Sequence, residues 1–306
     1  MTKTNQQKVK DFLINNGVII VMFILVIYTG FTSDNFFTKN NFMNILMNMS
    51  SRLVIALGIA GCVITAGCDL SAGRMIGFGA CISGMLLQRM DYSGKFFPDM
   101  QPLNVFVVAL IAMLVCAAFG TVTGFFIAYL NVPPFIATLA MMEIVYGIGL
   151  IVTNATPLGG YVEQYTNVSN GKFLGINYLI WIAIIVAAIT WFIFNMTRHG
   201  KYMYAIGGNP QAAEVAGVPV KATLILIYMK AAAMYGLAGF MLGAKAGGAS
   251  VQTGYGYEME AIAACTIGGV SVTGGRGKVS SAIIGVAVFE LLKVALQYLG
   301  MNANAQ

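Results

Sequence analysis

Apolar runs long enough, or nearly long enough, to cross a lipid bilayer recur along the whole chain. They lie at 17–31, 53–66, 75–88, 103–130, 135–153, 178–194, 222–242, 261–277 and 279–299. A straight helix needs about 20 apolar residues to cross the hydrocarbon core. Charged residues make up only 9% of the chain, against about 25% in soluble domains. We therefore predict an all-α, polytopic transmembrane helix bundle of eight to ten spans, formed by residues 1–306 as a single domain.

This composition excludes a soluble enzyme, a disordered chain and a secreted disulfide scaffold. The five cysteines lie mostly in apolar runs and form no CxxC motif, so they are predicted to be small reduced core residues rather than disulfides or a metal site. The net charge of +6 is interpreted as positive loops facing the cytoplasm and anionic lipid headgroups of the membrane. Since no basic stripe is present, a nucleic-acid partner is not expected.

Several apolar runs are too short for a straight span and are broken by glycines. Backbone that is not helical is permitted at membrane depth only where protein or a water-filled cavity satisfies it, and broken helices are typical of transporters. Residues 66–74 align without gaps with residues 268–276, at an offset of 202 (269 − 67), and three pairs are identical. These pairs are Gly67/Gly269, Gly73/Gly275 and Arg74/Arg276. The pattern predicts a possible internal two-fold repeat, although chance similarity remains an alternative in a chain with 36 glycines.

The two breaks are the candidate lining of a translocation path. The candidate residues are Gly67, Asp69, Ser71 and Gly73 in the first break and Gly269, Ser271, Gly274 and Gly275 in the second. We expect the breaks to converge and the Asp69 carboxylate to cap amides where a helix restarts. The alternative is that these glycines only allow close helix packing.

Positive charge predicts the orientation of the chain in the membrane. Lys3, Lys8 and Lys10 place the N-terminus in the cytoplasm, ahead of an uncleaved first span, because residues 32–36 offer no signal-peptide cleavage site. The loop at 196–221 is also predicted to be cytoplasmic, since it carries Arg198, Lys201 and Lys221.

A short, sharply bounded helix is predicted inside this loop. Asn209 is a favourable N-cap, Pro210 suits the first helical position, and Gly217 suits the left-handed residue after the helix. A helix over 210–216 is too short to be stable alone, so it docks either on its own bundle or on a partner protein. Its candidate docking surface is small and includes Ala212, Ala213 and Ala216, with Glu214 among them.

Motifs of enzymatic chemistry are missing from the sequence. No stretch fits GxxxxGK[ST], the pattern whose amides and lysine hold nucleotide phosphates, and neither HExxH nor a Gly-x-Ser-x-Gly elbow occurs. We expect a chain that does not hydrolyse ATP by itself and binds no cofactor. His199 is interpreted as one more positive-side residue. Glu290 and Lys293, three residues apart on one helix, are predicted to pair.

Three ordered motifs resemble those of ABC-transporter permeases. The coupling loop of that family has the pattern G-x-N-x-x-A-A-x-x-x-G, which residues 207–217 fit. Residues 67–73 resemble its G-x-D-L-S-x-G segment, and residues 268–277 its G-G-x-S-x-x-G-G-x-G segment. With residues 131–135 and 257–265, the chain is most similar to the sugar-importer branch, which includes ribose, xylose and galactoside permeases.

The resemblance implies a transport subunit with several partners. It implies two permease copies in the cell (inner) membrane, ABC ATPase subunits that bind ATP and Mg²⁺, and an extracytoplasmic sugar-binding protein. The implied substrate is a monosaccharide: galactose, a methyl galactoside or a related sugar. The residues that the resemblance implies for coupling transport to the ATPase are Asn209, Pro210, Ala212, Ala213, Glu214 and Gly217. Such permeases continue past the equivalent of Gly300 with a further helix and a basic tail, so we expect truncation or a missing last span here. The alternative function is a self-sufficient secondary transporter or channel for a small polar solute.

Overall fold

The computed structural model describes residues 17–32 and 36–301 and is almost entirely helical. The helices are α1 (Gly17–Thr32), α2 (Lys39–Ile64), α3 (Ala72–Leu86), α4 (Val105–Tyr129), α5 (Pro134–Thr153), α6 (Glu163–Asn170), α7 (Tyr178–Met196), α8 (Arg198–Gly208), α9 (Pro210–Val215), α10 (Val220–Ala246), α11 (Tyr257–Ile267) and α12 (Val279–Tyr298). Two short strands, β1 (Lys172–Phe173) and β2 (Ile176–Asn177), form an antiparallel hairpin. The predicted all-α bundle is confirmed.

Six of the described helices are long and apolar enough to cross a membrane: α2, α4, α5, α7, α10 and α12. Within α1, Ile20–Thr32 is a shorter apolar helix, as is Ala72–Leu86, which is α3. Together these make eight apolar helices, at the lower limit of the predicted eight to ten spans. The lysines predicted to orient the N-terminus and the predicted C-terminal truncation at 304–306 lie outside the described residues.

Polar residues begin several of these helices by capping free backbone amides. The side chain of Asn104 accepts from the amide of Phe106 at the start of α4, and that of Asn177 accepts from Leu179 at the start of α7. Thr197 caps α8 in the same way through the amide of Gly200. Such caps satisfy amides that the first turn of a helix leaves unpaired.

Helices α2 and α10 form the centre of the bundle. In the most apolar 18-residue window of α2, 78% of residues are buried, whereas the corresponding share in α4, α5 and α7 is 22%. The outer helices therefore present apolar side chains to lipid. Close packing at the centre uses glycine: a Cβ at Gly236 of α10 would lie 2.4 Å from the carbonyl oxygen of Ala112 in α4.

The bundle has two distinct ends. At the first end, Leu158 pairs with Ala249 and Gln88 pairs with Tyr161 in isolated β-bridges. At the second, which we call the α9 end, α8 and α9 meet residues 268–278. The predicted second break thus lies at the end of the bundle, whereas residues 65–71 turn back into it. The stretch between α10 and α11 also enters the bundle without helical structure, a third break that the sequence pattern did not indicate.

Candidate functional site

The short helix α9 is capped at both ends. The side-chain oxygen of Asn209 accepts from the amide of Ala212 at 3.0 Å, and Pro210 occupies the first helical position. Gly217 has a φ of +82°, and the amide of Val218 donates to the carbonyl of Ala213 at 3.0 Å. The predicted caps are confirmed, and the helix ends at Val215, one residue before the predicted end.

The outer surface of α9 differs from the predicted one. Ala213 is 4% exposed and packs inward, so its predicted place on the docking surface is wrong. Ala212, Glu214 and Ala216 are exposed, and Val215 is 91% exposed. Sequence reasoning missed Val215, although a valine inside a short polar-flanked helix could have signalled an apolar contact. A surface of two alanines and a fully exposed valine is suited to docking in a shallow groove on a partner.

Helix α8 connects α9 to the interior of the bundle. The Tyr204 hydroxyl donates to the carbonyl of Gly277 at 2.8 Å. A Cβ at Gly207 would lie 1.8 Å from the carbonyl oxygen of Ile64 and 2.6 Å from the amide nitrogen of Gly275. Only glycine permits this approach. One rigid helix therefore contacts both the end of α2 and the second break.

The first break is organised by Asp69, as predicted. Its carboxylate oxygen accepts from the amide of Ser71 at 3.0 Å and from the Ser71 hydroxyl at 2.6 Å, immediately before α3 begins. Asp69 is 1% exposed and Ser71 is fully buried. In this conformation the two side chains therefore brace the break and do not face an open channel.

The other predicted path residues fall into two groups. Gly274 and Gly275 lie at the α9 end against Gly207 and Gly208, and Gly67 packs against the Tyr228 hydroxyl. Gly73 lies deeper, where a Cβ would be 2.0 Å from a carboxylate oxygen of Glu258 in α11. Ser271 is half-buried and its hydroxyl lies 2.8 Å from that of Thr273. Gly269, with a φ of +99°, lies two residues after the end of α11. The predicted convergence holds where Gly275 bonds to Ile64 at the end of α2 and where Gly274 packs against Ala66.

The repeat register predicted from the sequence is wrong. The amide of Gly67 donates to the carbonyl of Cys62, and the amide of Val270 makes the same bond to Cys265, so the two helix ends correspond at an offset of 203 (270 − 67). The following helices begin at Ala72 and Val279, an offset of 207 (279 − 72). The ungapped alignment matched glycines that are not structurally equivalent, because the second break is longer than the first.

A charge network inside the bundle replaces the predicted Glu290–Lys293 pair. Lys293 pairs with Glu260 of α11 at 2.9 Å, whereas Glu290 pairs with Arg52 of α2. Arg52 also reaches Glu260 at 3.1 Å. Spacing along one helix could not show these partners, which come from other helices. The network ties α2, α11 and α12 together.

His199 lies in the first turn of α8 and is half-buried beside Lys230. Burial and, to a smaller extent, the positive charge of Lys230 together lower the pKa of His199 from 6.5 to about 4. His199 is therefore neutral at physiological pH, and its interpretation as a positive-side residue is wrong.

Metal-binding groups do not assemble in the described residues: at 17–32 and 36–301, no three His, Cys, Asp or Glu side chains cluster closely enough to hold an ion. The five cysteines are free thiols, four of them buried, as predicted for core residues.

The apolar helices, the irregular backbone within the bundle and the exposed α9 define a multi-pass membrane protein built as transport proteins are. Residues 41–306 match the family described as "Branched-chain amino acid transport system / permease component". The chain belongs to this permease family.

Curated relatives match the chain over nearly its whole length. The galactose/methyl galactoside import permease protein of Escherichia coli is 39% identical over 309 residues, covering 99% of this chain and 92% of the relative. Its counterpart from Haemophilus influenzae is 40% identical with the same coverage. The ribose import permease protein of Escherichia coli is 32% identical, covering 97% of this chain and 90% of the relative. No solved structure matches the chain.

Proposed function

We propose that the chain is the membrane-spanning permease subunit of an ATP-driven sugar importer in the cell (inner) membrane. The observation that carries this proposal is the near full-length similarity to import permeases for galactosides and ribose. The cargo is a monosaccharide, galactose, a methyl galactoside or a related sugar. Two copies of the chain form the pathway, and an extracytoplasmic sugar-binding protein delivers the sugar.

The coupling element is α9. Its exposed residues Ala212, Val215 and Ala216 dock on an ABC ATPase subunit, which binds ATP and Mg²⁺ in place of this chain. Because a six-residue helix is not stable alone, its caps and its contact with α8 keep it rigid enough to transmit force. The α9 end then faces the cytoplasm, as does the N-terminus, in agreement with the charges of Arg198 and Lys201.

The chain works by alternating access, and the contacts of α8 support this mechanism. Closure of the ATPase pair displaces α9 and α8, and Gly207 passes this displacement to Ile64, where the first break begins, and to Gly275 inside the second break. The breaks carrying Gly67, Asp69, Gly269 and Ser271 then rearrange along the path. Contacts with the sugar are weak, since tight binding would prevent its release.

Isolation of the intact assembly tests this proposal. A tagged chain is extracted from native membranes in mild detergent, and its partners and their bound small molecule are identified by mass spectrometry. We expect two copies of the chain, ATPase subunits and a binding protein that carries a monosaccharide. Extraction of the chain without any ATPase, together with uptake driven by an ion gradient, would instead support a secondary transporter.

A further inference from the structure

One network of aromatic and polar side chains connects α3, α5 and the irregular stretch before α11. The Arg74 guanidinium lies between the rings of Tyr146 and Tyr255, with its central carbon 3.9 Å and 4.2 Å from the two centroids. It donates to the amide oxygen of Gln252 at 2.7 Å, and the Gln252 amide nitrogen donates to the Tyr146 hydroxyl at 3.1 Å. Four side chains that are distant in sequence therefore form a single polar surface.

This network lies at the middle of the membrane-spanning bundle. Cys116, near the centre of the 25-residue α4, contacts the carbonyl of Met75, one residue after Arg74. The irregular stretch lies at the same depth, because a Cβ at Gly77 would be 2.7 Å from the carbonyl oxygen of Val251. Since Gly77 is in the second turn of α3, this backbone enters the bundle far from either end.

The exposed side of the stretch cannot face lipid. Gln252 is exposed and Tyr255 is 59% exposed, although both belong to non-helical backbone at membrane depth. Hydrocarbon does not tolerate such backbone, which occurs only against protein or a water-filled cavity. In a permease that works as a pair of copies, this face therefore meets either the second copy or the water-filled pathway between the copies, and its polar side chains favour the pathway.

Buried polar atoms without hydrogen-bond partners also indicate that a ligand or water binds at this network. Six side-chain atoms of the described residues are buried without a hydrogen-bond partner, and two of them, Nε of Arg74 and Oε2 of Glu258, lie at this network. Arg74 is 9% exposed and Glu258 is 5% exposed. Buried atoms of this kind are rare unless a ligand or water completes them. A neutral ligand suits the site, since the Glu258 carboxylate beside Arg74 offsets the attraction of the guanidinium for anions.

We propose that Arg74, Tyr146, Gln252 and Tyr255 form the point at which the translocated sugar contacts this chain. Tyrosine rings stack on the C–H faces of a sugar ring, and amide and guanidinium groups bond its hydroxyls. This inference rests on the proposed function and moves the sugar contact from the second break, at residues 268–277, to the stretch before α11.

Thiol labelling of the complete importer tests where this face lies. Cys62, Cys68, Cys81, Cys116 and Cys265 are first replaced by serine. Gln252→Cys and Tyr255→Cys are then compared with Ile189→Cys, whose parent side chain in α7 is 52% exposed and faces lipid. We expect a water-soluble thiol reagent to modify the two pathway variants about tenfold faster than the control, because the reactive thiolate requires water. Galactose is expected to slow the modification of these two variants and not that of the control. Equal rates at all three positions, or no effect of galactose, would overturn the assignment.

Sugar selectivity supplies a second measurement. Galactose and ribose uptake are compared in vesicles that contain the importer and its binding protein. Gln252→Ala is expected to change the ratio of the two rates by about three- to tenfold, the size of one lost hydrogen bond. Tyr255→Ala lowers both rates, and Tyr255→Phe restores them because it retains the ring. A uniform loss with an unchanged ratio, without rescue by phenylalanine, would mean that these residues only support the fold.

The two failures are distinguishable. If the unmodified importer shows no ATP-dependent uptake of any sugar, the proposed function fails. If it transports sugar but the labelling rates and sugar ratios do not change as expected, only the contact site fails.

Discussion

The amide of Gly275 donates a 2.8 Å hydrogen bond to the carbonyl oxygen of Ile64, so the stretch between α11 and α12 is bonded to the last turn of α2. Gly207 of α8 packs against the same carbonyl. Helix α8 therefore lies against both the last turn of α2 and the stretch before α12. These contacts connect the exposed α9 to the interior of the bundle.

The two faces of α9 are expected to respond differently to arginine. Ala213→Arg places a charge at a site that is 4% exposed, and we expect it to lower the free energy of unfolding by about 3 kcal/mol or more. Ala212→Arg lies on the exposed face and should leave the free energy of unfolding within about 0.5 kcal/mol of the parent. It should nevertheless weaken binding to the ATPase. Thermal unfolding in detergent and co-purification measure the two effects. Similar stability of both variants would contradict the burial of Ala213.

Leucine at the break glycines is expected to impair transport more than leucine at Gly17. Gly275 has a φ of +72°, which costs about 1–2 kcal/mol for other residues. A Cβ at Gly73 would lie 3.0 Å from the carbonyl oxygen of Gly254 as well as against Glu258, whereas nothing lies within 4 Å at Gly17. Uptake and surface expression are measured together. Equal uptake by Gly275→Leu and Gly17→Leu would show that the close contact at Gly275 is dispensable.

Local signals in the sequence were sufficient for α9 and for the first break. Asn209, Pro210 and Gly217 act within one short helix, and Asp69 caps a residue two positions away. The depth of the second break was not predictable in this way, because glycine content does not tell a loop at the end of the bundle from a break inside it. The signal that was missed lies at 247–256, where four glycines and Gln252 separate two apolar runs.

Contacts between distant segments explain the remaining differences. The burial of Ala213 depends on the position of α8 and α10, which no pattern within α9 contains. Spacing rules paired Glu290 with Lys293 on one helix, but Arg52 and Glu260 on other helices lie closer to them. The stacking of Arg74 between Tyr146 and Tyr255 joins positions 72 and 181 residues away (146 − 74 and 255 − 74).

Removal of the Glu290 carboxylate is expected to destabilise the bundle strongly. Glu290 is 1% exposed and pairs with Arg52, so Glu290→Ala leaves a buried charge and should cost about 3–5 kcal/mol. The matched control is Asp91→Ala, whose partner Arg89 lies 3.6 Å away and is 53% exposed. That pair should contribute less than about 1 kcal/mol. Comparable losses of thermal stability in the two variants would contradict the structural role of the buried network.

Acid is expected to destabilise the α9 end through His199. Its pKa is about 4 in the folded chain and 6.5 ordinarily, so between these values the unfolded chain binds a proton that the folded chain does not. The contribution of neutral His199 to the free energy of unfolding is therefore complete above about pH 6.5 and decreases as the pH falls toward about 4. His199→Gln should remove this part of the slope, which is measured as the difference between parent and variant unfolding temperatures from about pH 7.5 to 5.5. Parallel slopes for parent and variant would show that His199 does not titrate in this way.

Uptake of labelled galactose by reconstituted vesicles tests the central claim most directly. The vesicles contain this chain and its ATPase subunits, with the binding protein added outside. The account predicts uptake that requires ATP, the ATPase and the binding protein. It also predicts that Val215→Arg abolishes this uptake, because the 91% exposed valine of α9 is then no longer present to dock on the ATPase. Uptake that persists without the ATPase and follows an ion gradient, or full activity of Val215→Arg, would contradict it.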